Sequence, residues 1–236
     1  MGSSLESARH FPNEMVDQRL RRSAAHVLLD DLVDPVLAAD ADHHLRRVLR
    51  LRDGQSVTVT DGSGRWRDCR WSDDGLVAVS EVVEGGTARG ITIGVAIPKQ
   101  DRPEWMVTKL VECGVDRIVL LDCERSVVRW SADRVVRNLD RLNRVARSAM
   151  EQSRRIHMCV IEGPVPASAF LPEALIAEPG GRRLVSGDTT VAIGPEGGWS
   201  DKEVASAQTS IELADTVLRV ETAALAAAVT MAGLSR

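Results

Sequence analysis

Apolar residues recur along this chain with two different spacings, and the change from one to the other divides it. Residues 24–34 hold a strand-like patch, Val27-Leu28-Leu29, closed by a polar turn at Asp30-Asp31. Asp42 to Arg50 reads as a short helix, with Leu45, Val48 and Leu49 on one face and Arg46, Arg47 and Arg50 on the other. Beyond Asp53-Gly54 the period becomes two. Val57 and Val59 alternate, Asp61 to Gly64 turns the chain, 65–71 returns as a strand, Asp73 to Gly75 turns again, and 76–83 is a third strand. Short antiparallel strands joined by tight turns predict a small barrel over 1–84. Glu84-Gly-Gly-Thr-Ala-Arg-Gly90 then has the composition of a linker.

From residue 91 strands and helices alternate, which predicts an α/β domain with a largely parallel sheet over 91–236. Strands are expected at 91–97, 117–121, 157–161, 183–185 and around Val191 and Ile193. Helices are expected at 103–115 and 167–177, with a glycine turn at Gly180-Gly181, and in the alanine-rich segment after Thr222, where Gly233 is the expected stop. The clearest helical period runs from Ser131 to about Arg155. At 100° per residue it gathers Val135, Leu139, Leu142, Ala146 and Ala149 on one face and Arg134, Arg137, Arg141, Arg144 and Arg155 on the opposite one. That cationic face is either a solvated surface partly paired with carboxylates or a stripe facing a polyanion.

The stretch with most chemical content is Val191-Ala-Ile-Gly-Pro-Glu-Gly-Gly-Trp-Ser200. A β-branched run enters a glycine-rich loop, and Ser200-Asp-Lys-Glu203 supplies a capping box for a following helix. Glycines allow positive φ and close approach to bare backbone, and the unpaired N–H groups of a helix start attract polar or anionic groups. Taken alone, the loop suits a small-molecule pocket or an ordinary strand-to-helix turn equally well. Trp199 either covers such a pocket or simply packs.

Composition changes this picture little and charge changes it more. The 236 residues are 44% hydrophobic and 27% charged, ordinary for a globular protein, and no apolar run approaches the eighteen residues of a membrane span. Met1 to Ser7 lacks the apolar core of a signal peptide, so a cytoplasmic location is expected. Cys69, Cys113, Cys123 and Cys159 stand far apart, as buried reduced thiols do, and no metal site is expected at His43-His44 or elsewhere. Net charge is −4, which argues against indiscriminate nucleic-acid binding, yet the charge is uneven. Residues 91–157 hold 13 basic and 9 acidic side chains against 5 and 10 in 158–236. Only Lys99, Lys109 and Lys202 among the cations are lysines, and guanidinium is the better fork for phosphate.

A second stretch, residues 213–228, reads Leu-Ala-Asp-Thr-Val-Leu-Arg-Val-Glu-Thr-Ala-Ala-Leu-Ala-Ala-Ala. Together with Gly194 to Gly198 it resembles the cofactor loops of the SPOUT class of S-adenosylmethionine-dependent RNA methyltransferases. The closest likeness is to the RsmE family of 16S ribosomal RNA (uracil-N3)-methyltransferases. His44 to Gly54 with Asp61-Gly62, Pro98 to Arg102, Lys109 to Val115, Glu124 to Val127 and Glu151-Gln-Ser-Arg-Arg155 also resemble that family, although Arg154 replaces a glycine common there.

The resemblance implies a PUA-like β-barrel that grips RNA, followed by a SPOUT domain with a C-terminal trefoil knot, acting as a homodimer. It implies that Gly194, Pro195, Glu196, Gly197, Gly198, Leu213, Leu218, Arg219 and Thr222 hold S-adenosylmethionine. The partner it implies is small-subunit ribosomal RNA or the assembled small ribosomal subunit, with no membrane involved. N3 of uridine keeps its proton at neutral pH, so a base and an anion stabiliser are needed. Glu151, Arg155, Glu196, Arg219 and Glu221 are the candidates. For RNA contact the candidates are Arg46, Arg47, Arg50, Arg65, Arg67, Arg134 and Arg141, each with a solvated surface as its alternative. Methylation at another ribosomal or transfer RNA position, and RNA binding without catalysis, remain open beside the uridine reading.

Overall fold

The computed structural model describes residues 13–99 and 102–235. The expectation for the N-terminal heptapeptide, and Gln100-Asp101 of the Pro98 to Arg102 motif, fall outside them. The chain divides between Gly85 and Gly86 into two units.

In the first unit, helix α1 (Asn13–Arg22) leads into strand β1 (Ala25–Leu28). Helix α2 (Ala39–His43) continues into one wider turn through Val48. Strands β2 (Ser56–Thr60), β3 (Arg65–Ser72) and β4 (Gly75–Ala78) then form an antiparallel meander. Val57 and Val59 are fully buried, beside Cys69, Trp71 and Leu45, but Thr58 and Thr60 between and after them are buried too, so β2 is covered on both faces. Strand β1, to which the sequence assigns no pairing, lies parallel to β2, with Ala25 opposite Val57, because the intervening segment with α2 is long enough to carry the chain back. The strand read over 76–83 breaks after Ala78, where Ser80 turns its hydroxyl onto the Asp68 N–H, and Val83–Glu84 pairs separately with Arg65 and Trp66 as β5.

The second unit is a six-stranded sheet of β6 (Thr92–Ala96), β7 (Arg117–Asp122), β8 (Val160–Pro166), β9 (Leu175–Arg182), β10 (Thr190–Ile193) and β11 (Thr209–Ile211). Their spatial order is β11-β9-β10-β6-β7-β8, and every neighbouring pair is parallel. Strand β10 is therefore inserted between β9 and β6, and buried apolar residues such as Ile93, Val95, Val119, Leu121 and Val191 fill the strands, as expected of a sheet covered on both faces.

Helices α3 (Arg102–Glu112), α4 (Ala132–Ser153) and α7 (Val220–Leu234) pack together, α7 lying over β6 and β10. Alanines at 223, 224, 227 and 228 and Met231 are buried in α7, which runs through Gly233 rather than stopping there. Across the sheet Phe170 of the short helix α5 (Ala167–Phe170) fills the space a side chain at Gly94 would need.

The region 167–185 departs most from expectation. In place of a helix to Ala177, a glycine turn and a strand at 183–185, α5 gives way at Leu171–Glu173 to a single tight turn, and the chain then extends as β9 through Gly180-Gly181. Pro172 lacks the N–H a longer helix would use. Gly181 is needed in the strand because a Cβ there would sit 2.5 Å from the Ile211 backbone nitrogen. Helix α4 ends at Arg154, which takes left-handed backbone angles of φ 61° and ψ 32°, the conformation that glycine adopts at helix ends. All four cysteines are free, and burial pushes the Cys69 thiol up to about 11 and those of Cys123 and Cys159 up to about 12.

Candidate active site

The carboxyl ends of parallel strands are where an open α/β sheet leaves a crevice for ligands. Strand β10 ends at Ile193, and the chain turns through Gly194 to Trp199 into helix α6 (Asp201–Ser206). The capping box forms as the sequence predicts: Ser200 Oγ accepts the Glu203 N–H at 3.3 Å and Glu203 Oε2 accepts the Ser200 N–H at 2.8 Å. Gly198 has φ +70°, so a side chain there is disfavoured whatever the space. Gly194 is required for another reason: a Cβ there would lie 2.8 Å from Trp199 Cε2, in the buried indole. Trp199 thus packs beneath the loop, its Nε1 donating to the Ala177 carbonyl at 3.4 Å, and also lines the cavity above.

That cavity, of about 580 Å³, is bounded by both stretches that the sequence singles out. The first supplies Gly194, Pro195, Glu196 and Gly198, and the second Leu213, Leu218 and Arg219, ahead of α7. A third wall, Ala177-Glu178-Pro179 from β9, has no signal in the sequence, which reads as a helix end at Ala177 followed by a turn at Gly180-Gly181. Glu212 and Asp215 add further carboxylates to the lining. Ile193, Leu213, Leu218, Val220, Ala223 and Trp199 make part of the wall apolar, while Glu178, Glu196, Glu212 and Asp215 oppose Arg219 as its charged groups.

Two of the proposed cofactor residues lie off this lining. Gly197 faces away: a Cβ there would meet Arg125 Cβ and carbonyl at 3.3 Å, so its bare Cα serves loop packing. Thr222 is exposed in the first turn of α7.

The candidate catalytic residues scatter. Arg219, exposed, is the N-cap of α7 and lines the cavity with Glu196. Glu221, two residues on in the first turn of α7, is buried, with Arg102 Nη1 3.4 Å from its carboxylate. Arg155 is not at the cavity. Its Nη1 donates to the carbonyls of Val111 and Val115 at 2.9 and 2.7 Å, and its Nη2 to Asp116 Oδ1 at 2.8 Å. Asp116 precedes β7, and Arg117 is level with Thr92 and hence with Thr190, so this cluster sits at the amino edge of the sheet, opposite the Gly194 loop. Desolvation lowers the Arg155 pKa, with Cys159 and Asp116 opposing it. The sequence placed Arg155 in the chemistry; the structure gives it the task of bracing three segments. Glu151, on the last turn of α4, pairs with Arg147 at 3.4 Å.

Of the arginines proposed for RNA, Arg47, Arg50 and Arg134 are exposed. Arg65 and Arg141 are exposed but paired, with Asp61 at 2.7 Å and Glu104 at 2.8 Å. Arg46 pairs with Asp42 and lies 4.7 Å over the Trp71 ring. Arg67, half-buried, donates to the carbonyls of Ser80, Leu32 and Val33 and so ties the first unit together.

Comparison with known proteins agrees with this layout. An RNA methyltransferase domain model matches residues 87–232, and an RNA methyltransferase PUA domain model matches 39–75. The ribosomal RNA small subunit methyltransferase E of Mycobacterium bovis is 26% identical over 226 residues, spanning 81% of this chain and 83% of that one. The crystal structure of a probable rRNA-methyltransferase from Porphyromonas gingivalis is 30% identical, with a TM-score of 0.75 over 89% of this chain and 98% of that one. The ribosomal RNA small subunit methyltransferase E from Neisseria gonorrhoeae, bound to S-adenosyl methionine, is 26% identical, with a TM-score of 0.72 over 89% and 97% of the two chains. With more than half its residues matched by that catalytic domain, the chain belongs to the RNA methyltransferase family, and within it to the ribosomal RNA small subunit methyltransferase E group.

Proposed function

We propose that this protein transfers a methyl group from S-adenosylmethionine to N3 of a uridine in 16S ribosomal RNA. The observation that carries the reading is the shared cavity, in which two loops separated by some fifteen residues of sequence meet. Its residues suit the cofactor: an apolar wall accepts a purine, bare backbone at Gly194 and Gly198 offers hydrogen bonds, and the carboxylates of Glu178 and Glu196, beside Glu212 and Asp215 that pair with Arg183, favour a ligand that carries sulfonium and ammonium charges. When bound, S-adenosylmethionine supplies a methyl carbon on a sulfonium, a good leaving group, so the protein has to position and not to form a covalent intermediate.

Within the cavity Arg219 is the group for holding negative charge on a uracil oxygen, and Glu196 the group for taking the N3 proton. Glu221, held by Arg102, keeps the start of α7 in place behind them. In this reading the first unit is a PUA-like barrel over 1–84, which presents Arg47, Arg50 and Arg65, and 91–236 is a SPOUT domain whose two loops form a trefoil knot. Arg134 and Arg141 face RNA from α4, the protein works in the cytoplasm as a homodimer, and its substrate is small-subunit RNA, free or assembled. Support for the RNA contacts is their exposure and the phosphate-fitting geometry of guanidinium.

The test is transfer of labelled methyl from S-adenosylmethionine to small ribosomal subunits and to naked 16S RNA, followed by nucleoside analysis. Label in N3-methyluridine is expected. Label in another nucleoside reassigns the target, and RNA binding without label removes the enzyme assignment.

A further inference from the structure

Outside the cavity, one buried carboxylate joins more of the site than a helix cap requires. Glu203 is 3% exposed, and each of its oxygens accepts a backbone N–H from a different segment. Oε2 takes Ser200, the residue after the glycine loop, at 2.8 Å; Oε1 takes Glu124, in the loop that follows β7, at 2.9 Å. That second loop is itself fastened, with Arg129 Nη2 on the Cys123 carbonyl at 3.0 Å and Arg129 Nη1 on Asp122. It also touches the glycine loop directly, since Arg125 Nη1 reaches the Gly197 carbonyl at 3.4 Å and the bare Cα of Gly197 faces the Arg125 backbone. Segment 194–200 is thus held from below by Trp199 on the Ala177 carbonyl, and from the side by the Glu203 bridge to the β7 loop.

We infer that Glu203 is a positioning residue for cofactor binding: its carboxylate locks the Gly194 to Ser200 loop to the loop after β7 and so presets the cavity wall. This rests on the proposed S-adenosylmethionine site. A capping box needs only one of the two oxygens, so the bridge to Glu124 is an extra constraint on a loop whose backbone meets the ligand. A loop held in its binding geometry spares the ligand the cost of ordering it, and loss of that constraint appears in affinity. Because the loop contacts cofactor in the ground state and in the transition state alike, the effect falls on KM and not on kcat.

Calorimetry with S-adenosylmethionine and steady-state methyl transfer on the full chain test this with E203Q and S200A. Glutamine keeps the size but has one acceptor oxygen where two are needed, and an amide donor must then face a backbone N–H. E203Q is expected to weaken cofactor binding at least tenfold and raise its KM in step, with kcat at saturating cofactor within twofold. S200A breaks the cap but leaves the Glu203 to Glu124 bridge, and its affinity is expected to stay within threefold of wild type. Equal weakening by both variants would assign the effect to helix capping alone, and a lower melting temperature with unchanged affinity in E203Q would make the residue merely structural. Either result overturns the inference. Failure of the wild-type chain to bind S-adenosylmethionine would instead overturn the reading of the cavity.

Discussion

Arg155→Met separates the two roles that sequence and structure give to one residue. Methionine keeps most of the stem volume and removes the guanidinium, taking the donor from the Val115 carbonyl and one oxygen of Asp116, while the Val111 carbonyl keeps only the Gly114 N–H at 3.0 Å. The arginine and aspartate side chains are only 13% and 15% exposed, so water replaces these bonds poorly. Removing one partner of a buried pair costs about 3–5 kcal/mol. Some solvent access here puts the loss near the lower end, at about 3 kcal/mol. Asp116 also accepts the N–H groups of Gly90 and Ile91, so the loss spreads to the entry of β6. For a unit of this size about 3 kcal/mol corresponds to a melting temperature lower by roughly 6–12 °C. Urea titration gives the free energy, and calorimetry with S-adenosylmethionine well below the transition gives the affinity, expected within twofold of wild type. Stability unchanged to within about 0.5 kcal/mol, together with a large loss of methyl transfer in the folded variant, would refute the bracing role and restore Arg155 to the chemistry.

Gly194→Ala places a methyl group 2.8 Å from the Trp199 ring, so cofactor affinity is expected to fall tenfold or more; an unchanged dissociation constant would show that the loop does not depend on that contact. Arg154→Gly removes a left-handed non-glycine residue and is expected to raise stability by about 0.5–1 kcal/mol in urea titration; a loss would mean that the carbonyl bonds of Arg154 outweigh the backbone strain. Burial alone would raise the Asp61 pKa, but hydrogen bonds from Ser63 and Arg65 outweigh it and hold the carboxyl at about 2. Since the folded value lies below the unfolded one, this stabilisation is full above about pH 4 and is lost as pH falls towards 2. Acid titration of the first unit's stability should therefore be shallower in Asp61→Asn, and parallel curves would contradict the assignment.

The Gly194 to Ser200 turn is legible because its chemistry is local: a β-branched strand, glycines where backbone must turn or be approached, and a Ser-x-x-Glu start lie close together between Val191 and Glu203, whereas the partner stretch at 213–228 is picked out only by its resemblance to a family. The long helix α4 was legible by its period. What was not legible depended on distant partners. Residues 175–182 join the sheet because β10 and β11 flank them, whereas Leu175 to Ala177 taken locally extend the helical pattern that begins at Ala167. The parallel placing of β1 needs a crossover that no local pattern encodes. Arg155 and Arg67 carry the same charge as the exposed arginines, and only carbonyls brought in from elsewhere in the fold turn them inward. Glu203 was read as half of a capping box, and its second bond, to a residue 79 positions away, had no local signal.

The insertion of β10 between β9 and β6 has a consequence for how the protein comes into being. As synthesis proceeds, β6, β7 and β8 emerge consecutively and can zip together, yet β6 keeps a bare edge and β9 has nowhere to dock until residues 190–193 arrive, about a hundred positions later. Such an edge invites pairing with other chains while it waits. The four residues that close the gap run straight into Gly194, so a nascent or truncated chain has no half-built cavity: its wall arrives with the strand that completes the sheet.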